Sequence, residues 1–448
     1  MKKLLTGTAA IALGLAMTAP AHAADGVKLG IGGFMTGYTS WLNQDEDPVA
    51  GVAGDDTSVD QFDILRDTEV QFTGETTLDN GLTVGFHTEL NDDQADGFGV
   101  DESYAFFSGS WGRVNFGAED GSAYLLQVSA PSADSNIDGL RQYVHGVNYT
   151  NMMVAGAAGT DGDQNLDDLF SGLIGANEQL SEGVDGADDI NTGAAFAGVF
   201  GTANTVFDYD HDVSASDDKI TYLTPVFSGF QGGVSYTPNL NANSDGDGTA
   251  HPAVLGTAIS YDGAWDAAAR WEGTFQKLGI NFGGGYSHVN LNDDNTALDR
   301  VVAYVDDTQS NTNTAADTVY ATADDRSVWN VGLDLNWGAF GLGGAAIRDN
   351  LGISDGFDRE TWVVGADYTT GPYKLGLSYL TEEQEVATQS FDTDRWTAGA
   401  IYTYGPGMTF RGSVAWMDYE EDVGDQGTAA SDTDASSTNF LLGTEIDF

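Results

Sequence analysis

Eight basic side chains recur at one kind of position along this chain. Lys28, Arg113, Lys219, Arg270, Arg359, Lys374, Arg395 and Arg411 each fall on the polar parity of a segment whose alternate residues are apolar. Side chains two apart share one face of an extended strand. Cations fixed on one face do electrostatic rather than covalent work. The acids that could oppose them lie in 119–217: Glu119, Asp120, Asp134, Asp138, Asp161, Asp163, Asp167 and Asp168. Any one of these charges is most simply a solvated group. As a set they read as a cationic wall facing an acidic loop, with a transverse field between them.

Other chemistries find less support. The acidic stretches "NSDGDGT" (243–249) and "DGDQNLDD" (161–168) suggest calcium ligands, but neither meets the EF-hand pattern. Leu166 stands where that loop needs glycine, and no glutamate closes it. Calcium bridging of acidic loops remains reasonable chemistry, with no site to assign, so no metal or other cofactor is expected. Downstream of residue 23 the histidines are His87, His145, His211, His251 and His288, and no G-x-S-x-G motif accompanies them. His87 stands two residues from Glu89, which alone is not a catalytic site. The reading is therefore non-enzymatic. There is no cysteine, which removes disulfide, thiol and zinc-finger chemistry.

The start of the chain indicates the compartment. Residues 1–23 carry Lys2 and Lys3, an apolar stretch and Ala21-His22-Ala23, the pattern of a secretory signal cleaved after Ala23. The mature chain, 24–448, then holds 14 basic and 69 acidic residues, a net charge of −55. That excludes nucleic acid as a partner and disfavours anionic lipid surfaces. No later segment is long and apolar enough for a membrane helix. The expectation is either a large packed interior or a sheet that crosses a membrane as strands.

The elements that position the charges follow from parity. Residues 27–38, 82–90, 329–337, 373–380, 396–404 and the terminal "TNFLLGTEIDF" alternate apolar with polar, as half-exposed strands do. Seven tight turns, at 78–82, 109–113, 227–231, 276–280, 337–341, 369–373 and 404–408, alternate with eight longer, acidic stretches. Those are 42–60, 91–100, 119–217, 239–264, 291–325, 349–358, 383–392 and 420–436, so the count is sixteen strands. The strand-like "AVLGTAISY" (253–261) would make that number odd and is placed within the fourth long stretch. Phe107, Trp111, Phe227, Phe230, Trp337, Phe340, Tyr368, Tyr373, Tyr404 and Phe410 gather beside the short turns, as in an interfacial belt. A soluble sandwich also alternates, but it does not sort short turns to one end and long loops to the other. A sheet in lipid must close, so the last strand is expected to pair with the first. Arg66 and Arg348 have outward parity but lie near the long-loop ends, above the hydrocarbon.

On these features the chain resembles a Gram-negative general porin of the alphaproteobacterial type. The matching stretches are "VKLGIGGFMTGY", "DTEVQFTGETTLDNGLTVGFHTEL" (67–90), "DESYAFFSGSWGRVNFGAEDG" (101–121), "KITYLTPVFSGFQGGVSYTPN" (219–239) and the final Phe448. The resemblance implies an all-β, sixteen-stranded antiparallel up-and-down barrel in the cell outer membrane. It also implies a homotrimer among outer-membrane lipid, and passive diffusion of ions and small hydrophilic solutes. In that family the third long loop folds into the lumen, and the terminal phenylalanine is read by the insertion machinery. The 119–217 loop is long for a simple constriction, and part of it could cap the pore or hold a short helix at 167–180. Charge predicts a preference for cations. The alternatives are a substrate-specific channel with a saturable site and a structural or adhesive barrel whose acidic loops bind partners.

Overall fold

The computed structural model describes residues 26–44, 60–93, 97–131, 146–147, 209, 211–238, 240, 261–291, 301–306, 317–322, 324–352, 358–386, 389–422 and 433–448. The proposed leader and the helix considered at 167–180 lie outside them, as does 253–260. Tyr261 opens a barrel strand.

The strands in chain order are β1 (Lys28–Gln44), β2 (Phe62–Thr77), β3 (Thr83–Asp93), β4 (Gly97–Gly109), β5 (Gly112–Ala118), β6 (Asp218–Leu223), β7 (Phe230–Thr237), β8 (Tyr261–Phe275) and β9 (Leu278–Leu291). They continue with β10 (Val301–Asp306), β11 (Asp317–Thr322), β12 (Arg326–Trp337), β13 (Phe340–Asp349), β14 (Arg359–Thr370), β15 (Tyr373–Val386), β16 (Gln389–Gly405), β17 (Met408–Asp422) and β18 (Thr433–Asp447). Sixteen of them form one closed antiparallel barrel in which β9 pairs directly with β12. β10 and β11 form a separate two-stranded sheet inside the fifth long loop, 291–325, which the sequence reading took as loop throughout. All seven expected tight turns join neighbouring barrel strands.

Each turn is built from its own residues. At 78–82, Leu78 N donates to Leu82 O at 2.8 Å and Gly81 N to Leu78 O at 2.9 Å. Gly81 has φ +82°, a region that glycine enters without the steric cost of a β-carbon.

Apolar side chains cover the outside. Leu29 is 76% exposed and Ile64 70%, values that an aqueous surface would not tolerate in a continuous band. Lipid makes that exterior favourable and forbids a free sheet edge, because each unsatisfied backbone group there costs several kcal/mol. The aromatics beside the short turns are exposed and pair across strands, as in Phe340–Tyr368 at 4.9 Å and Tyr373–Tyr402 at 5.1 Å. A second girdle lies toward the long loops: Trp41 with Phe62 and Phe440, Tyr236 with Trp265, and Tyr379 with Trp396. Two belts bounding an apolar band are the pattern of a transmembrane barrel.

The seam joins β1 to β18, from Phe34 opposite Asp447 to Gln44 opposite Ser437. Beyond the last strand residue, Phe448 N donates to Gly33 O at 3.0 Å. Gly33 has φ +149°, and a β-carbon there would come within 3.0 Å of the Phe448 ring. The terminal phenylalanine therefore docks into a place that only glycine leaves open. We expect deletion of Phe448 to lower the yield of folded, heat-modifiable barrel in outer membranes several-fold. Equal yield from the full chain and from one ending at Asp447 would contradict this.

Candidate functional site: the inner wall and the third long loop

The polar parity faces the barrel interior, and the described parts of the long third loop are laid against it. That loop leaves β5 at Glu119 and returns to β6 at Asp218, so both ends sit on neighbouring strands. Lys219 ties this neck: its Nζ donates to the carbonyl oxygens of Glu119 and Ala215, and to that of Ser214 at 3.4 Å. Lys219 is 3% exposed and serves as a clamp rather than a free charge in the lumen. Ser216 Oγ adds a bond to Asp101 Oδ1 at 3.3 Å.

After the neck comes one helical turn, α1 (Ser122–Leu125), and then an extended arm to Pro131. Ser122 N donates to Ser235 Oγ at 2.7 Å, which anchors the arm on β7. The arm then runs across inward-facing glycines. A β-carbon built at Gly332 would fall inside the Val128 carbonyl, and one at Gly365 inside that of Pro131. One at Gly283 would lie 2.9 Å from Leu126 O, and one at Gly285 3.0 Å from Ala123 Cβ. One at Gly233 would lie 2.9 Å from Ser122 Cβ, so β7, β9, β12 and β14 provide a side-chain-free track, along which Leu126, Val128 and Ala130 are buried. Glycine in a strand weakens it, so such a row is explained by close approach of another backbone.

The returning end of the loop packs beside the arm. His211 N donates to Gln127 Oε1 at 3.0 Å, and His211 Nε2 meets Ser287 Oγ at 2.8 Å. Ser287 Oγ in turn donates to Asp266. The three residue types match a hydrolase triad, but the order does not. Asp266 accepts the serine hydrogen bond and does not orient the histidine, so the three are not arranged as a triad. Burial lowers the His211 pKa to about 4, which leaves the ring uncharged at neutral pH.

The basic residues of the sequence analysis have unequal surroundings. Arg411 pairs with Glu445, and its Nε donates to Thr409 Oγ1 at 2.9 Å. Lys374 Nζ lies 3.5 Å from Asp367 Oδ2. Arg359 lies 3.7 Å from Asp349 Oδ2, which also takes a two-pronged contact from Arg326. Arg113 Nε donates to Asn115 Oδ1 at 2.6 Å, and its guanidinium lies 4.2 Å over the Phe106 ring. Arg270 and Arg395 are half-buried on the inner face, and Lys28 is exposed at the short-turn end. Arg348, on the outer face, pairs with Asp358 at 2.8 Å, near the long-loop end. Of the loop acids, Glu119 is buried at the neck and Asp120 half-buried beside it. Burial raises the Glu119 carboxyl to about 7, against the pull of Arg113. Asp134, Asp138, Asp161, Asp163, Asp167 and Asp168 lie outside the described residues, as do both acidic stretches considered for calcium.

The wall also carries acids of its own, beyond the cations named from the sequence. Asp67, Glu69, Glu89, Glu102, Asp266, Asp349, Asp367, Glu382 and Glu445 are buried on the inward face. Parity would have found most of them, since they occupy the same polar positions as the cations. Arg326 begins a strand where the reading had ended a loop. A patch of Tyr38, Leu441 and Leu65 also lies inside, on a face expected to be polar.

The sequence model of Gram-negative porins matches residues 7–422. No curated protein matches the chain at a significant level. Among solved structures, the anion-selective porin from Comamonas acidovorans is similar at TM-score 0.53 and 17% identity, over 94% of this chain and all of that one. OmpT, an outer membrane protein of Vibrio cholerae, is similar in its trimer form at TM-score 0.51 and 12% identity, over 95% of this chain and all of that one. At these identities the likeness is one of fold.

The glycine track yields a test of how the arm is held. Gly332→Val should push the arm off the wall and make the bond after Tyr124 or Leu125 sensitive to chymotrypsin, while the barrel stays heat-modifiable. Gly279→Ala, whose added carbon would meet nothing nearer than 3.4 Å, should leave cleavage unchanged. Equal protease resistance in the native protein and both variants would show that the track does not seat the arm.

Proposed function

The chain belongs to the Gram-negative porin family and is an outer-membrane channel; from that premise we propose that it passes ions and small hydrophilic solutes by diffusion and prefers cations. The observation that carries the preference is the pairing of the wall. Arg411, Lys374 and Arg359 each face a carboxylate, and Lys219 is spent on backbone carbonyls. Buried acids of the wall, such as Glu69, Glu382 and Asp67, offset the remaining cations, and the long loops add further negative charge at one mouth. Low-dielectric walls focus such charge and raise the local cation concentration. The anion selectivity of the Comamonas protein belongs to that protein, and a 17% identity carries no wall charge across.

The same reading includes a homotrimer, recognition of the C-terminal strand by the insertion machinery, and no enzymatic activity. The trimeric form of the Vibrio protein supports the first by likeness of fold, and the docked Phe448 is consistent with the second. The His211–Ser287–Asp266 order supports the third.

Single-channel recording in planar bilayers tests the proposal. We expect ohmic steps arriving in threes, with no saturation by any one sugar or amino acid. Under a potassium chloride gradient the reversal potential should be cation-selective at low salt. It should weaken as salt rises, because the Debye length falls from about 10 Å at 0.1 M to about 3 Å at 1 M. Anion selectivity at low salt would show that the arginines govern. Saturation by one solute would favour a substrate-specific channel, and absence of conductance an adhesive or structural barrel.

A further inference from the structure

One group on the inner wall has chemistry that the channel reading does not use. His87 and Glu89 lie on β3, and Glu102 lies opposite on β4. One imidazole nitrogen and one carboxylate oxygen from each glutamate all lie within 4.8 Å of one another. His87 Nε2 is 2.6 Å from Glu89 Oε1, and its Nδ1 is 2.8 Å from Thr73 Oγ1. All three side chains are buried.

Strand register creates the grouping, and a β-bulge adjoins it. Thr88 pairs with Ser103 but Leu90 with Val100, so both Asp101 and Glu102 stand opposite Glu89. An extra residue of this kind re-aims a side chain, often at a functional position. Here the extra residue is Asp101; Glu102 shares the inward parity of Tyr104, the direct partner of His87.

Glu102 is the observation that points to a ligand. It is 8% exposed and faces inward beside His87 and Glu89. The charged groups that act on it most strongly are Asp120, Glu89, Glu119 and Asp101, all acidic. The near cations are committed elsewhere: Arg113 to Asn115 and the Phe106 ring, Lys219 to loop carbonyls. A buried carboxylate among other acids is costly, and pairing or metal coordination is how proteins resolve it. One imidazole with two carboxylates is a donor set for a first-row divalent ion. Thr73 would hold the free imidazole nitrogen, the outer-shell contact that metal-bound histidines commonly make.

We propose that His87, Glu89 and Glu102 bind a first-row divalent transition-metal ion on the inner wall, the ion replacing the His87–Glu89 hydrogen bond. The imidazole distinguishes this site from simple carboxylate attraction: an all-oxygen set suits calcium and magnesium, whereas a nitrogen donor favours cobalt, zinc or their neighbours.

Cobalt(II) is the probe. The full-length folded protein, purified in detergent and stripped with EDTA, is loaded with cobalt chloride, desalted, and measured for metal content and d–d absorption. We expect about one cobalt retained per chain at neutral pH, undisplaced by a large excess of calcium. His87→Gln and Glu102→Gln should each weaken retention at least ten-fold while the protein stays heat-modifiable. Loss of cobalt from the native protein on desalting would overturn the proposal. So would displacement by calcium, or retention unchanged in the variants. If one variant fails to assemble, the other and the calcium competition on the native protein still decide.

Discussion

Everything in this structure follows from one requirement: a backbone in lipid has no water to satisfy it. A single open edge along β1 or β18 would leave a row of amide and carbonyl groups in hydrocarbon, at several kcal/mol each. The seam from Phe34–Asp447 to Gln44–Ser437 removes that edge, and the Phe448–Gly33 bond continues it past the last strand residue. Closure also fixes the parity of every strand. Once the ring is complete, alternate residues must face lipid or lumen, and a one-residue slip would reverse them.

Closure then sets the problem of the interior. Inward residues are polar, and a barrel of sixteen strands is too wide for its own side chains to fill. The third loop occupies part of that space. Its arm lies on glycines from four strands, its neck is tied by Lys219, and its return is held by His211 through Gln127 and Ser287. These contacts are short-range and specific, so the loop's described parts are fixed to the wall. The wall charges are arranged in contact with opposite charges, as in Arg411–Glu445 and the Arg326–Asp349–Arg359 group.

Much of the fold was legible because period-two alternation and loop length are local signals. Strand number, turn positions and the pairing of first with last strand come directly from them. What was not legible depends on contacts between distant segments. Gly332 and Gly365 looked like ordinary strand glycines, and only the arm lying across them explains their place. The bulge at Asp101–Glu102 is a register effect between two strands and leaves no mark in either one. Leu441 sits inward against Tyr38 because the lumen face there is covered, which a strict apolar-out rule cannot anticipate. The inward acids were a different kind of miss: the parity rule that found the cations applied to them equally. The β10–β11 sheet lay inside a stretch read as loop because its acidic surroundings resemble the other loops.

The seam can be tested without disturbing the rest of the molecule, since the chain has no cysteine of its own. Thr39 and Leu442 are direct partners across β1 and β18, and Thr39 Oγ1 donates to Leu442 O at 3.0 Å. A double variant carrying Thr39→Cys and Leu442→Cys should therefore form an intrachain disulfide under mild oxidation in the folded protein, because directly opposed strand residues bring their Cα atoms to about 4.5–5.5 Å. Pairing Thr39→Cys instead with Phe440→Cys or Thr444→Cys moves the partner two residues along, to about 7–8 Å between Cα atoms, beyond ready bridging. A disulfide in the Thr39/Leu442 pair alone is the predicted result. Efficient bridging in either shifted pair, or none in any of the three, would contradict a barrel closed in this register.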